Sequence, residues 1–149
     1  MPRFARSILL CAAAVLSSCG EVRSPSREPT FIPMPGARAL PFSAAVRVGD
    51  VLYLSGQLGT DSTGNLVAGG IAPETRQAMA NIRAVVEQNG SSMDRVVKCL
   101  VMLADMKEWD AMNQVYVTYF SGHLPARSAL GASGLALGAR VEIECLASI

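Results

Sequence analysis

Between residues 73 and 120 the hydrophobic pattern changes period twice, and that change limits the fold to a sheet layered with helices. Residues 73–89 carry Ala78, Met79, Ile82, Val85 and Val86 at helical spacing, with Pro73 suited to a first turn and Asn89-Gly90 suited to a C-terminal cap. Val96 to Leu103 is a continuous apolar run broken only by Lys98, which reads as a strand buried on both faces. Asp105 followed by Glu108 has the form of a capping box and opens a second helix that runs through Phe120. That helix carries a stripe of Trp109, Asn113, Tyr116 and Phe120. Asn113 is a polar amide on an aromatic face. It reads as satisfying a buried backbone group, with contact to a ligand as the alternative.

Strand-like runs flank this unit. Residues 42–48 and 51–57 are joined at Gly49-Asp50, a strong hairpin signal, and residues 61–65 have turn chemistry. Two further strand-like runs lie beyond residue 124 on either side of a Gly-rich turn. The order strand, strand, helix, strand, helix, strand, strand predicts an α+β fold, a mixed sheet with two helices packed on one face. The last strands are apolar on much of both faces, so the uncovered side of the sheet is expected to meet other subunits in a closed cyclic oligomer.

The beginning of the chain has a different character. Arg3 and Arg6 precede an apolar run at 8–16 that is too short to span a bilayer, the pattern of a secretory signal. The run ends in Leu16-Ser17-Ser18-Cys19-Gly20, which matches a bacterial lipobox with Cys19 as the lipidated residue. The reading is a signal peptide at 1–18, a lipidated N-terminus and flexible tether at 19–36, and one folded domain at 37–149. Gly20, rather than Asp, follows the cysteine, so the expected location is the cell envelope, on a periplasm-facing outer-membrane anchor. Cys11 leaves with the signal. Cys99 and Cys145 remain in apolar runs, either as a disulfide or as two isolated buried thiols. His123 is the one histidine and reads as a loop residue, so no spacing suggests a metal site. Thirteen basic residues face twelve acidic ones, and no Lys/Arg cluster offers nucleic acid a footprint.

The chemistry concentrates in the C-terminal stretch. Arg127 follows a Pro-Ala step in one apolar run, and Glu142 and Glu144 stand in the next. A guanidinium fork matches the two oxygens of a carboxylate, and a nearby carboxylate can orient or deprotonate a water. The pair would therefore hold and hydrate a small carboxylic acid. The alternative is a salt bridge between neighbouring strands.

Several segments recur in order: L-P-F-S-A-A-V at 40–46, L-S-G-Q-L at 54–58, T-R-Q-A-M-A-N-I at 75–82, V-V-K-C-L-V-M-L at 96–103, N-Q-V-Y at 113–116, L-P-A-R-S at 124–128 and V-E-I-E at 141–144. In these the chain resembles the RidA/YjgF family of reactive-intermediate deaminases, which hydrolyse 2-imino acids and their enamine tautomers to 2-oxo acids and ammonia. The resemblance implies a chorismate-mutase-like fold assembled as a homotrimer with sites between subunits. It implies that Arg127 binds the substrate carboxylate, that Glu142 orients water together with a backbone carbonyl near Ala129, and that Ser55 and Asn113 line the pocket. Phe42 stands where the family usually has tyrosine, and Ala129 where it often has cysteine. An imine is already electrophilic, so the reaction implies no cofactor; positioning is the main catalytic contribution.

Two functions follow from this reading: an imine deaminase acting on a small 2-imino acid, and a non-catalytic module that binds small carboxylates or a partner on the same trimer. Membrane contact is expected through the lipid alone, and no nucleic acid is expected as a partner. Replacing Cys19 with Ala is expected to move the protein from the membrane to the soluble fraction on cell fractionation, and retention in the membrane would overturn the lipobox reading.

Overall fold

The computed structural model describes residues 28–35 and 40–149. The expected signal segment, Cys19 and most of the expected tether lie outside the described residues. Part of the stretch expected to be tether is a strand. Thr30–Ile32 forms strand β1, antiparallel to the next strand, with Phe31 opposite Val46. Three residues between Pro29 and Pro33 are too few to show a period, and proline is tolerated at such an edge because its missing N–H faces away from the ladder.

The hairpin at Gly49-Asp50 joins β2 (Ala45–Val48) to β3 (Val51–Leu54), with Val48 opposite Val51. Gly49 takes a φ of 58°, a conformation that a two-residue hairpin turn needs and that glycine adopts without a Cβ penalty. β3 stops at Leu54. After Ser55 and Gly56 the chain resumes as β4 (Gln57–Leu58), and both β3 and β4 pair with the last strand.

Helix α1 spans Ile71–Gln88, beginning two residues before Pro73. Ala78, Met79, Ile82 and Val86 form its buried face, as their spacing predicts. The helix ends as Asn89-Gly90 predicts. Gly90 has φ 80°, its N–H reaches Glu87 O, and the Ser91 N–H reaches back to Val86 O at 2.9 Å. This pair of bonds is a Schellman closure and satisfies two carbonyls that the helix leaves open.

Strand β5 (Val96–Leu103) follows, then α2 (Trp109–Tyr116), β6 (Ala126–Gly131) and β7 (Val141–Ser148). The sheet order is β1-β2-β3-β7-β5-β6, with β4 joined to β7; β5 and β6 run parallel and all other pairs antiparallel. The architecture is thus the expected α+β arrangement of a mixed sheet and two helices. β5 is not buried on both faces. Cys99, Val101 and Leu103 lie in the core beneath the helices, whereas Val97 is 52% exposed and Leu100 and Met102 are half-buried on the side that no helix covers. A continuous apolar run cannot show that the chain itself covers only one of its two faces.

The capping box forms by half. The Asp105 carboxylate accepts from the Lys107 N–H at 2.9 Å, but Glu108 does not reach back to Asp105. It pairs instead with Arg140, whose backbone N–H donates to Glu74 Oε2 at 2.8 Å. A single-turn 3₁₀ helix precedes α2 and another follows it, so the predicted continuous helix through Phe120 is three pieces.

Cys99 and Cys145 are direct partners across β5 and β7, with Cα atoms 4.1 Å apart, and form a disulfide within the core. This decides between the two states left open by their apolar surroundings. The tightest backbone approach is at Gly59, where a Cβ would lie 2.6 Å from both Cα and O of Glu74. Gly59→Ala must therefore push β4 away from α1. It is expected to destabilise the domain by about 1–3 kcal/mol in urea unfolding, the usual cost of overpacking a well-packed site.

Candidate functional site

Arg127 lies on β6 opposite Cys99, on the face of the sheet that carries the helices. There it meets the predicted stripe of α2. Its Nη1 donates to Asn113 Oδ1 at 2.6 Å, and its guanidinium carbon lies 5.1 Å from the Trp109 ring centroid and 4.9 Å from that of Tyr116. Residues at i, i+4 and i+7 share one side of a helix, so the three groups reach Arg127 together. Asn113 therefore serves a side chain and not a buried backbone group. Nothing in the spacing of α2 reveals that an arginine from a strand beyond β5 lies against it.

Cation–π contacts with two rings contribute about 0.5–2 kcal/mol each, depending on how far water is excluded. Burial pushes the Tyr116 hydroxyl up to about 12, partly opposed by the Arg127 charge, so it stays protonated. That hydroxyl is buried and has no hydrogen-bond partner among the described residues. Tyr116 also packs on Phe120, with ring centroids 5.0 Å apart. Ala129, two residues beyond Arg127, is half-buried on the same face opposite Val101.

Glu142 lies on the other face. Its neighbours Val141 and Ile143 point into the core, so Glu142 and Glu144 point away from it, as strand alternation predicts. Burial, with the charge of Glu144 second, raises the Glu142 carboxyl above the ordinary glutamate range. Its carboxylate occupies the space beside Gly56, where a Cβ would lie 2.0 Å from Glu142 Oε1. Gly56 is thus a site residue that the S-G-Q segment contained but whose reason was not visible in sequence. It sits in the gap between β3 and β4, and the gap is what admits the carboxylate.

Ser55, beside it, donates its hydroxyl proton to Ser43 O at 2.7 Å. Toward a ligand it can only accept. Phe42 lies outside any strand and is 50% exposed. His123 is exposed in the segment before β6. Among the described residues no group of three or more His, Cys, Asp or Glu converges as a metal site.

The two residues at the heart of the sequence argument are not brought together within one chain. β5 runs between β6 and β7, so these strands are not neighbours. Arg127 is level with Cys99 and Glu142 with Met102. That places them about 10 Å apart across the sheet and about 10 Å along it, on opposite faces. A salt bridge between them is excluded by this geometry, and the described residues show none.

Residues 35–149 match the family described as endoribonuclease L-PSP. A mouse protein named 2-iminobutanoate/2-iminopropanoate deaminase is 45% identical over 108 residues, 72% of this chain and 80% of that protein. The crystal structure of YyfA from Yersinia pestis, described as a protein of unknown function of the conserved Rid protein family, superposes with a TM-score of 0.76. It is 36% identical, and the alignment covers 82% of this chain and all of that one. Escherichia coli TdcF, solved with bound serine, superposes with a TM-score of 0.74 at 26% identity, covering 80% of this chain and 98% of that one. With most of its length matched in both sequence and fold, the chain belongs to the endoribonuclease L-PSP family, the RidA/YjgF family that its motifs resemble.

Proposed function

We propose that this protein hydrolyses small 2-imino acids and their enamine tautomers to 2-oxo acids and ammonia. The observation that carries the reading is the state of Arg127: half-buried, held by an amide and two rings, and paired with no carboxylate among the described residues. An arginine kept charged and ordered in that way is suited to a carboxylate from outside the chain. The names of the similar proteins supply the rest of the substrate, a 2-imino group beside that carboxylate.

The separation of Arg127 from Glu142 makes the proposal one about an assembly. A site that uses both needs Arg127 of one copy and Glu142 of another, and a homotrimer with three such clefts is the closed arrangement proposed. The half-buried apolar side of the sheet, with Val97, Leu100 and Met102, would be covered in that assembly.

In the reaction Arg127 holds the carboxylate, and Glu142 with the Ala129 carbonyl orients a water against the imine carbon. The water oxygen bonds to the carbon of the protonated imine as Glu142 takes a proton and the C=N electron pair passes to nitrogen. Glu142 then returns its proton to that amine, and the hydroxyl proton is lost as the C=O bond forms, the C–N bond breaks and ammonia leaves. The raised Glu142 carboxyl makes it a better proton acceptor, and desolvation is the main cause. Gly56 leaves the space that this carboxylate needs. With Cys19 lipidated, the source of the imine would be an amino-acid-oxidising reaction in the envelope. The second reading, a binding module without turnover, is supported by Phe42 in place of the family tyrosine.

With imine generated by an amino-acid oxidase and trapped by semicarbazide, the protein is expected to accelerate imine loss. Arg127→Lys is expected to cut kcat/KM by about a hundredfold or more, the scale of a lost bidentate charged contact, without changing the assembly's sedimentation. No acceleration over several imino acids would favour the binding module, and unchanged activity in Arg127→Lys would remove Arg127 from the mechanism.

The pH dependence follows from Glu142. Activity needs its ionised form, so kcat/KM rises as pH passes upward through its elevated pKa. Glu144→Gln removes the neighbouring negative charge, lowers the Glu142 pKa and is expected to move the acid limb of the profile to lower pH. A limb that stays in place would show that Glu142 is not the group titrating.

A further inference from the structure

The α2 stripe does more to Arg127 than neighbour it. A guanidinium has five N–H donors, and Asn113 takes one of them, on Nη1. The remaining donors have no partner among the described residues, and they include the complete Nε and Nη2 edge. That edge is what a carboxylate fork requires. The Trp109 and Tyr116 rings, both within 5.1 Å of the guanidinium carbon, limit where it can swing. A long side chain otherwise loses considerable rotamer freedom on binding a ligand, and prior ordering removes that cost.

We infer that Trp109, Asn113 and Tyr116 form a positioning device that holds Arg127 in one orientation with its Nε–Nη2 edge open to a carboxylate ligand. Asn113 suits this task because its oxygen accepts without neutralising the charge, as an aspartate there would. Trp109 suits it because an indole binds a cation more strongly than a phenyl ring does. Tyr116 contributes its ring from within the core, where its hydroxyl, pushed up to about 12, stays uncharged. The inference rests on the proposed role of Arg127 as the carboxylate grip, and it assigns to α2 the affinity and selectivity of that grip.

Trp109 is also the one tryptophan of the chain. Its fluorescence therefore reports the state of Arg127 directly, independent of turnover. In the full chain, solubilised in detergent, butanoate is expected to change the emission with saturation, and butanamide to do so at least tenfold more weakly.

Asn113→Leu keeps the branched shape of the side chain and removes the acceptor. It is expected to weaken butanoate binding and raise KM by about tenfold to a hundredfold, the scale of a hydrogen bond to a charged group, with kcat within about threefold. Adding it to Arg127→Lys is expected to cost nothing further, because both act through one group. Trp109→Leu, read by KM alone, provides a second variant should Asn113→Leu not fold.

Butanoate binding and KM unchanged in Asn113→Leu, and KM unchanged in Trp109→Leu, with Arg127→Lys impaired, would overturn the positioning role and leave the carboxylate site standing. Additive losses in the Asn113→Leu and Arg127→Lys double variant would also overturn it, since the residues would then act separately. Unimpaired binding in Arg127→Lys would overturn the carboxylate site and the positioning role with it.

Discussion

Strand β7 meets β5 along one edge and both β3 and β4 along the other, and the placement of every functional group in the chain depends on that double pairing. Its core-facing residues Val141, Ile143, Cys145 and Ala147 are at most 2% exposed, which fixes the register, because a slip of one residue would turn all of them outward. The same register sends Glu142 to the opposite face. The interruption of the other edge at Ser55-Gly56 then leaves the Glu142 carboxylate the space that a Cβ at Gly56 would take. Packing thus determines where the glutamate points, and the broken edge determines what surrounds it.

The helix layer acts on Arg127 in the same indirect way. α2 packs beside α1, with Met112, Val115 and Tyr116 buried and Met112 and Tyr116 part of the core. Trp109 and Asn113 then fall on the side that faces β6. The charge of Arg127 is tolerated beside a core because rings and an amide replace part of the water it gives up. A lysine at the same position would present a point charge with no planar edge to align.

Much of this was legible in the residues alone. Helical periodicity located the buried face of α1, Asn89-Gly90 marked its end, and Gly49-Asp50 marked the hairpin, because each of these signals is local. What was not legible was the order of strands across the sheet. Arg127 and Glu142 stand fifteen positions apart on consecutive strands, and nothing in that spacing reveals β5 between them. The spacing from Asp105 predicts a capping role for Glu108, but its side chain pairs with the distant Arg140. The short strand at Thr30–Ile32 and the close approach of Glu142 to Gly56 are not legible in the sequence for a related reason. One is too brief to carry a period, and the other is defined by what a side chain would strike.

The disulfide between Cys99 and Cys145 closes a loop with a sequence separation of 46 residues. Trp109, Asn113, Tyr116, Arg127, Ala129 and Glu142 all fall inside that loop, whereas Ser55 and Gly56 fall outside it. In an unfolded chain such a closure removes conformational freedom equivalent to about 4 kcal/mol, on a chain-entropy account. Oxidation therefore restricts the denatured ensemble over the segment that carries the arginine, its helical support and the glutamate, before any of them is packed. The hairpin that shapes the gap beside Glu142 receives no such restriction and relies on its own pairing with β7.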